Sequence, residues 1–259
     1  MTRLRRHWPE YLMEAWGLGT FMVSACVFTA LLEHPASPMR SLLPDAFVRR
    51  ALIGVAMGVT AIGIVYSPWG QQSGAHINPS MTLAFLRLGR IAPTDAAFYV
   101  AAQFAGAAMG VLVSRVVLGG RIADPSVGFA VTVPGAAGVA TAFGAEIAIS
   151  FGMMLLVLAS TGSRLAPWTG VFCGIAVALY ITFEAPLSGM SMNPARTFGS
   201  AVFADVWTAF WVYLVAPPAG MLLATEVHRR RSHAAPGTCA KLRHANDRRC
   251  IHCAGRLTA

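Results

Sequence analysis

A chain of 259 residues with 56% hydrophobic and 12% charged side chains is too apolar for a soluble domain, which carries about twice that charge. Charge-free stretches at 15–32, 51–86, 96–114, 147–163, 165–183 and 206–225 instead indicate a polytopic membrane protein, because about 20 apolar residues cross a bilayer. This excludes a soluble enzyme, a secreted disulfide scaffold and a disordered chain, and the net charge of +9 reports membrane orientation rather than nucleic-acid binding.

The chain opens Met-Thr-Arg-Leu-Arg-Arg-His, and the apolar run that follows is too long for a signal-peptide core, contains Glu14 and lacks a small-x-small cleavage site. Residues 1–10 therefore read as a short N-terminus leading into an uncleaved first span. In chain order, spans are expected at 11–32, 46–66, 96–118, 138–160, 167–186 and 205–227. Two shorter apolar stretches, 78–88 and 193–203, are about half a membrane thick and each opens with Asn-Pro. Asn favours the N-cap and Pro at the first helical position loses no hydrogen bond, so both are expected to be half-helices that start abruptly. With both termini cytoplasmic, 14 of the 20 Lys and Arg residues fall on the terminal side. Five (Arg40, Arg49, Arg50, Arg115, Arg121) fall on the other, and Arg196 lies inside the second half-helix. That split satisfies the positive-inside rule.

The two halves repeat. Ser73-Gly-Ala-His-Ile-Asn78-Pro-Ser80 and Ser188-Gly-Met-Ser-Met-Asn193-Pro-Ala195 share Ser-Gly-x-x-x-Asn-Pro, and each half carries a glutamate early in its first span, Glu14 and Glu146. Three spans per half is an odd number, so the second copy is upside down relative to the first: repeat one covers about 11–118 and repeat two about 138–227. The fold class is thus an all-α membrane protein of six transmembrane helices and two re-entrant half-helices that meet near the midplane. Irregular backbone at that depth is tolerated only where it lines a water-filled cavity, so the segments before each half-helix face an aqueous path.

These features resemble the aquaporin, or major intrinsic protein, family, in its bacterial type, over about residues 10–227. The family's two Asn-Pro-Ala boxes are matched by Asn78, Pro79 and Ser80 and by Asn193, Pro194 and Ala195, with Ser80 departing from the usual Ala. Glu14, Glu146, Gln103-x-x-Gly106, Pro217-x-x-Gly220 and the Arg196 that follows the second box also match. The resemblance implies pore carbonyls at Gly74, Ala75, His76, Gly189, Met190 and Ser191, and a role for Glu14 and Glu146 in holding the re-entrant loops. It further implies a selectivity filter of Met57, Ile181, Met190 and Arg196, from an alignment with one inserted residue near Pro68. Orthodox water channels have an aromatic and a His where Met57 and Ile181 stand, so a more apolar constriction is expected. Glycerol facilitators carry an Asp and a basic residue where Thr197 and Ala201 stand.

The resulting expectation is a passive channel for water and other small neutral solutes that excludes ions and protons. It is not an enzyme, needs no cofactor, binds no nucleic acid and, by resemblance, assembles as a homotetramer in the lipid of a bacterial inner membrane. Alternatives are an ammonia- or glycerol-type facilitator with little water role, a secondary transporter, and a structural membrane protein. Residues 228–259 read as a basic, disordered cytoplasmic tail held near anionic headgroups and dispensable for conduction. Of the five cysteines, Cys26 and Cys173 lie in spans and the others in this tail. Cys250-x-x-Cys253 has metal-ligand spacing, and Cys239 and His244 could complete a set of four, but with no metal expected this stays a weak candidate.

Overall fold

The computed structural model describes residues 3–231, 239–244 and 246–253. In chain order its principal helices are α1 (Arg3–Glu33), α2 (Ala46–Tyr66), α3 (Pro79–Arg87), α4 (Pro93–Leu118), α5 (Val139–Thr161), α6 (Thr169–Phe183), α7 (Pro194–Ala204) and α8 (Phe210–Arg231). Among the described residues six of the helical stretches are long and apolar enough to cross a membrane; α3 and α7 are the half-helices. The expected all-α architecture of six spans and two half-helices is the one observed.

Asp45 starts α2, its carboxylate accepting hydrogen bonds from the backbone N–H of Phe47 at 2.7 Å and Val48 at 3.4 Å. Along α2, Leu52, Val55 and Val59 point outward while Gly54, Met57, Gly58 and Ala61 are buried. Both faces are apolar because lipid replaces water outside, so helix association depends on close backbone approach rather than on the hydrophobic effect. A Cβ on Gly54 would stand 2.6 Å from the Ala178 carbonyl oxygen, and one on Gly58 would overlap that of Gly174, which presses α2 against α6. The contact recurs within each repeat. A Cβ on Gly106 would overlap the Ala15 carbonyl where α4 meets α1, and one on Gly220 would overlap the Ile147 carbonyl where α8 meets α5. Each half-helix packs on the last span of the other repeat, α7 on α4 and α3 on α8, as an inverted pair requires.

Several boundaries differ from expectation. Helix α1 begins at Arg3 rather than near residue 11, and α4 at Pro93 rather than 96. The cause is a long-range polar cluster: the Asp95 carboxylate accepts from Arg3 Nη1 at 2.9 Å and the Tyr11 hydroxyl at 2.7 Å, with His7 Nδ1 at 2.8 Å. Helix α6 stops at Phe183 because Pro186 has no N–H for the Thr182 carbonyl, which accepts from Arg50 Nε instead, and the chain re-forms a short turn at Ala185–Ser188. Helix α8 begins at Phe210 rather than 205, after left-handed turns at Asp205 and Ala209 (φ 51° and 49°).

The tail requires a correction. Where the sequence predicts a disordered, solvated segment, the described residues 239–244 and 246–253 lie folded against the terminal face of the bundle. Ala240 and Leu242 are 0% and 3% exposed, and Leu242 N–H donates to the Gly74 carbonyl at 3.2 Å. The charge count hid two apolar side chains and a backbone edge that find partners on the first re-entrant loop.

Candidate pore

The two re-entrant loops share one conformation. Gly74 and Gly189, Ala75 and Met190, and Ile77 and Met192 all have positive φ, between 41° and 106°, at matching places of the repeat. Left-handed geometry costs a non-glycine residue about 1–3 kcal/mol, so Ala75, Ile77, Met190 and Met192 carry strain. Two buried carboxylates hold that strain. Glu14 accepts from Ser73 Oγ at 2.8 Å, His76 N at 3.0 Å, Ile77 N at 2.6 Å and Gln103 Nε2 at 2.8 Å. Glu146 accepts from Ser188 Oγ at 2.8 Å and from Ser191 N and Met192 N at 2.7 Å each. Tyrosine hydroxyls complete the symmetry, Tyr99 donating to the Ser73 carbonyl at 2.7 Å and Tyr213 to that of Ser188 at 2.5 Å.

The half-helices begin where the Asn-Pro pairs predict. Asn78 Oδ1 caps α3 by accepting from Ser80 N at 2.8 Å; Asn193 Oδ1 caps α7 by accepting from Ala195 N at 3.1 Å and Arg196 N at 3.2 Å. Each amide also donates across the repeat, Asn78 Nδ2 to the Met192 carbonyl at 2.7 Å and Asn193 Nδ2 to the Ile77 carbonyl at 2.8 Å. An amide nitrogen carries two hydrogens, so one donor on each remains for the lumen. Pro79 and Pro194 take the first helical positions, and Ala195 and Ser80 are fully buried, the Ser80 hydroxyl without a hydrogen-bond partner among the described residues.

A cavity of about 480 Å³ runs past both Asn residues. Met57, Ile181, Met190 and Arg196, drawn from four separate segments, all line it. Ala75, His76, Gly189 and Ser191 line it as well; the Gly74 carbonyl instead accepts from Leu242 N–H. Arg196 lines the cavity, and its Nη1 is buried with no hydrogen-bond partner among the described residues. Thr197 is not lumenal: its hydroxyl joins Thr132 Oγ1 at 2.8 Å and Ser191 Oγ at 2.5 Å, tying the loop before α5 to the second re-entrant loop.

Three residues escaped the sequence reading. Arg50 also lines the cavity, toward the mouth opposite the termini, with Nε donating to the Thr182 carbonyl at 2.8 Å. It precedes Met57 by seven residues, two helical turns on one face, which is the signal that could have found it. Glu184, just past α6, is buried with neither carboxylate oxygen hydrogen-bonded among the described residues. Leu242 lines the cavity at its terminal end, beside His76, whose Nε2 is 2.6 Å from the Ala240 carbonyl oxygen; nothing in the sequence marks either contact.

The comparisons agree with this geometry. The family model described as Major intrinsic protein matches residues 4–228. "Aquaporin NIP2-3" of Zea mays is 34% identical over 215 residues, 82% of this chain and 69% of that protein. "Aquaporin NIP1-4" of Oryza sativa subsp. japonica is 37% identical over 170 residues, covering 65% and 60%, and "Aquaporin-4" of Bos taurus 36% over 189 residues, covering 68% and 55%. The chain thus spans between about half and two thirds of the length of these relatives. The X-ray structure of the aquaglyceroporin from Plasmodium falciparum superposes with a TM-score of 0.72 at 19% identity, over 87% of this chain and 96% of that one, which shows the fold. These relatives are plant, animal and protozoan, so they lend no support to a bacterial subtype. A match that runs through both repeats and all eight helices makes this chain a member of the major intrinsic protein family.

Proposed function

We propose that the chain is a passive pore for water and similarly small uncharged solutes, ammonia among them, with ions and protons excluded. One observation carries the reading: a single cavity is bordered by the Asn78 and Asn193 amides, by the unpartnered Arg196 guanidinium and by the apolar side chains of Met57, Ile181 and Met190. The amides and loop carbonyls offer alternating donors and acceptors to a file of small molecules. Each half-helix adds about half a positive charge at its N-terminus, and with Arg196 this opposes cations and protons. Met57 and Ile181 donate no hydrogen bonds, so the constriction favours solutes that shed water easily.

A second reading, a small-solute facilitator with little water flux, is favoured by the apolar side chains of Met57 and Ile181 along the cavity. Against fast glycerol transport stands Thr197, whose hydroxyl is already engaged on both sides. The positive-inside count supports termini that face the cytoplasm, and the resemblance supports a homotetramer with one pore per protomer. The double change Met57→Phe with Ile181→His, assayed by stopped-flow light scattering in proteoliposomes, tests the filter. Water permeability is expected to persist within about two-fold, because neither change removes a hydrogen-bonding group, while ammonia flux falls several-fold. Unchanged flux of both would contradict the assignment of these two positions.

A further inference from the structure

The folded tail brings Cys239, His244, Cys250 and Cys253 together, their ligand atoms all within 4.8 Å of one another. The shorter separations are 3.3 Å for Cys239 Sγ to Cys250 Sγ, 3.3 Å for Cys250 Sγ to Cys253 Sγ and 3.1 Å for His244 Nε2 to Cys253 Sγ. A tetrahedral ion with bonds of about 2.3 Å to sulfur and 2.0 Å to nitrogen needs edges of roughly 3.5–3.8 Å, a few tenths of an ångström longer than these three and inside the 4.8 Å limit of the set. Three thiolates and one imidazole form a soft, closed donor set that favours zinc over the hard divalent cations. They would also leave the loaded site one negative charge, and Lys241, Arg243, Arg248 and Arg249 lie in the same short segment to balance it. Lys241 is buried and clasps the segment, donating to the Arg249 carbonyl at 2.8 Å.

The ligands alternate with the residues that dock on the pore. Ala240, next to Cys239, receives His76 Nε2 on its carbonyl; Leu242, two residues before His244, bonds the Gly74 carbonyl and ends the cavity. His252, between Cys250 and Cys253, has Nε2 3.1 Å from the Ser73 carbonyl oxygen and its ring stacked on His76 at 5.9 Å. A segment this short has little core of its own, so the free energy of metal binding becomes the free energy of ordering it.

We propose that Cys239, His244, Cys250 and Cys253 bind one zinc ion, and that the bound ion holds Leu242 as a plug across the terminal-side mouth of the pore. The plug rests on the pore reading above; the metal site does not. The full chain, purified under reductant and freed of metal, is titrated with cobalt(II). One equivalent is expected to give the thiolate charge-transfer and visible d–d bands of a tetrahedral ion, bleached by zinc and lost in Cys250→Ser with Cys253→Ser. Separately, proteoliposomes loaded with zinc should show water flux several-fold below those treated with chelator on both faces, and readdition of zinc should restore the block. The Cys250→Ser with Cys253→Ser protein should stay at the chelated level whether or not zinc is added. Leu242→Ala should keep the cobalt spectrum and lose the zinc response.

Absence of a stoichiometric tetrahedral cobalt spectrum, or a disulfide among the three thiols under reductant, would overturn the site. Zinc bound with flux unchanged would overturn the plug. Because the spectrum is read without any flux, a failed site and a failed pore give different results.

Discussion

Arg196 is half-buried beside Asn193, and one of its guanidinium nitrogens, Nη1, is buried where no described residue satisfies it. An orphaned buried donor costs about 1–3 kcal/mol, so the position is retained for what passes it rather than for stability. Arg196→Val should therefore leave the yield of folded protein intact while urea and glycerol permeabilities rise several-fold; solute flux at the wild-type value in correctly inserted protein would contradict a filter role. Glu14 presents the opposite case. Its two oxygens accept four hydrogen bonds, each worth about 1.5–3 kcal/mol when charge-assisted, against two left-handed residues at about 1–3 kcal/mol each. In Glu14→Gln one oxygen becomes an NH2 group facing donors it cannot accept from. Folded yield is expected to drop several-fold while permeability per folded channel changes little, and Glu146→Gln should behave likewise. Full yield with an altered pH dependence of flux would instead indicate a proton relay.

Among the elements, the α2–α6 contact depends on what two glycines leave out. The obstacle to a Cβ at Gly58 is the Gly174 backbone carbonyl, which cannot rotate aside, whereas Gly63 on the same helix has nothing within 4 Å. Gly58→Ala should lower the thermal midpoint in detergent by several degrees, since overpacking costs about 1–3 kcal/mol, while Gly63→Ala should not. Equal effects of the two changes would contradict the close-approach account. The half-helices were legible in the sequence because Asn-Pro fixes a start by local chemistry alone, and α3 and α7 begin within one residue of expectation. The early start of α1 was not, because it depends on Asp95 reaching Arg3, His7 and Tyr11 across the sequence. The tail failed for the same reason: the spacing of Cys250 and Cys253 is visible locally, but the pairing of Leu242 with Gly74 exists only once the first re-entrant loop has folded.

For the whole molecule, inversion of the repeat brings two half-helix N-termini and two capping amides to one cavity, and the buried glutamates and re-entrant loops are paired between the halves, whereas Arg196 stands where the first half has Met81. The four side chains of the expected constriction come from three helices and a loop, and they meet in one cavity although Met57 belongs to the first repeat and the other three to the second. That convergence is why the alignment to the family was informative where periodicity was not. Arg50 and Leu242, at opposite ends of the cavity, have no counterpart in the motifs and became visible only in three dimensions. The central claim, a passive pore for small neutral solutes, is tested most directly by stopped-flow permeabilities of the full chain in proteoliposomes with chelator present. Water, ammonia and glycerol would be compared with and without an imposed proton gradient. The account predicts water and ammonia permeabilities well above protein-free vesicles, glycerol slower than either, and no dependence on the gradient; flux that required the gradient, or none above bare lipid for any of the three, would contradict it.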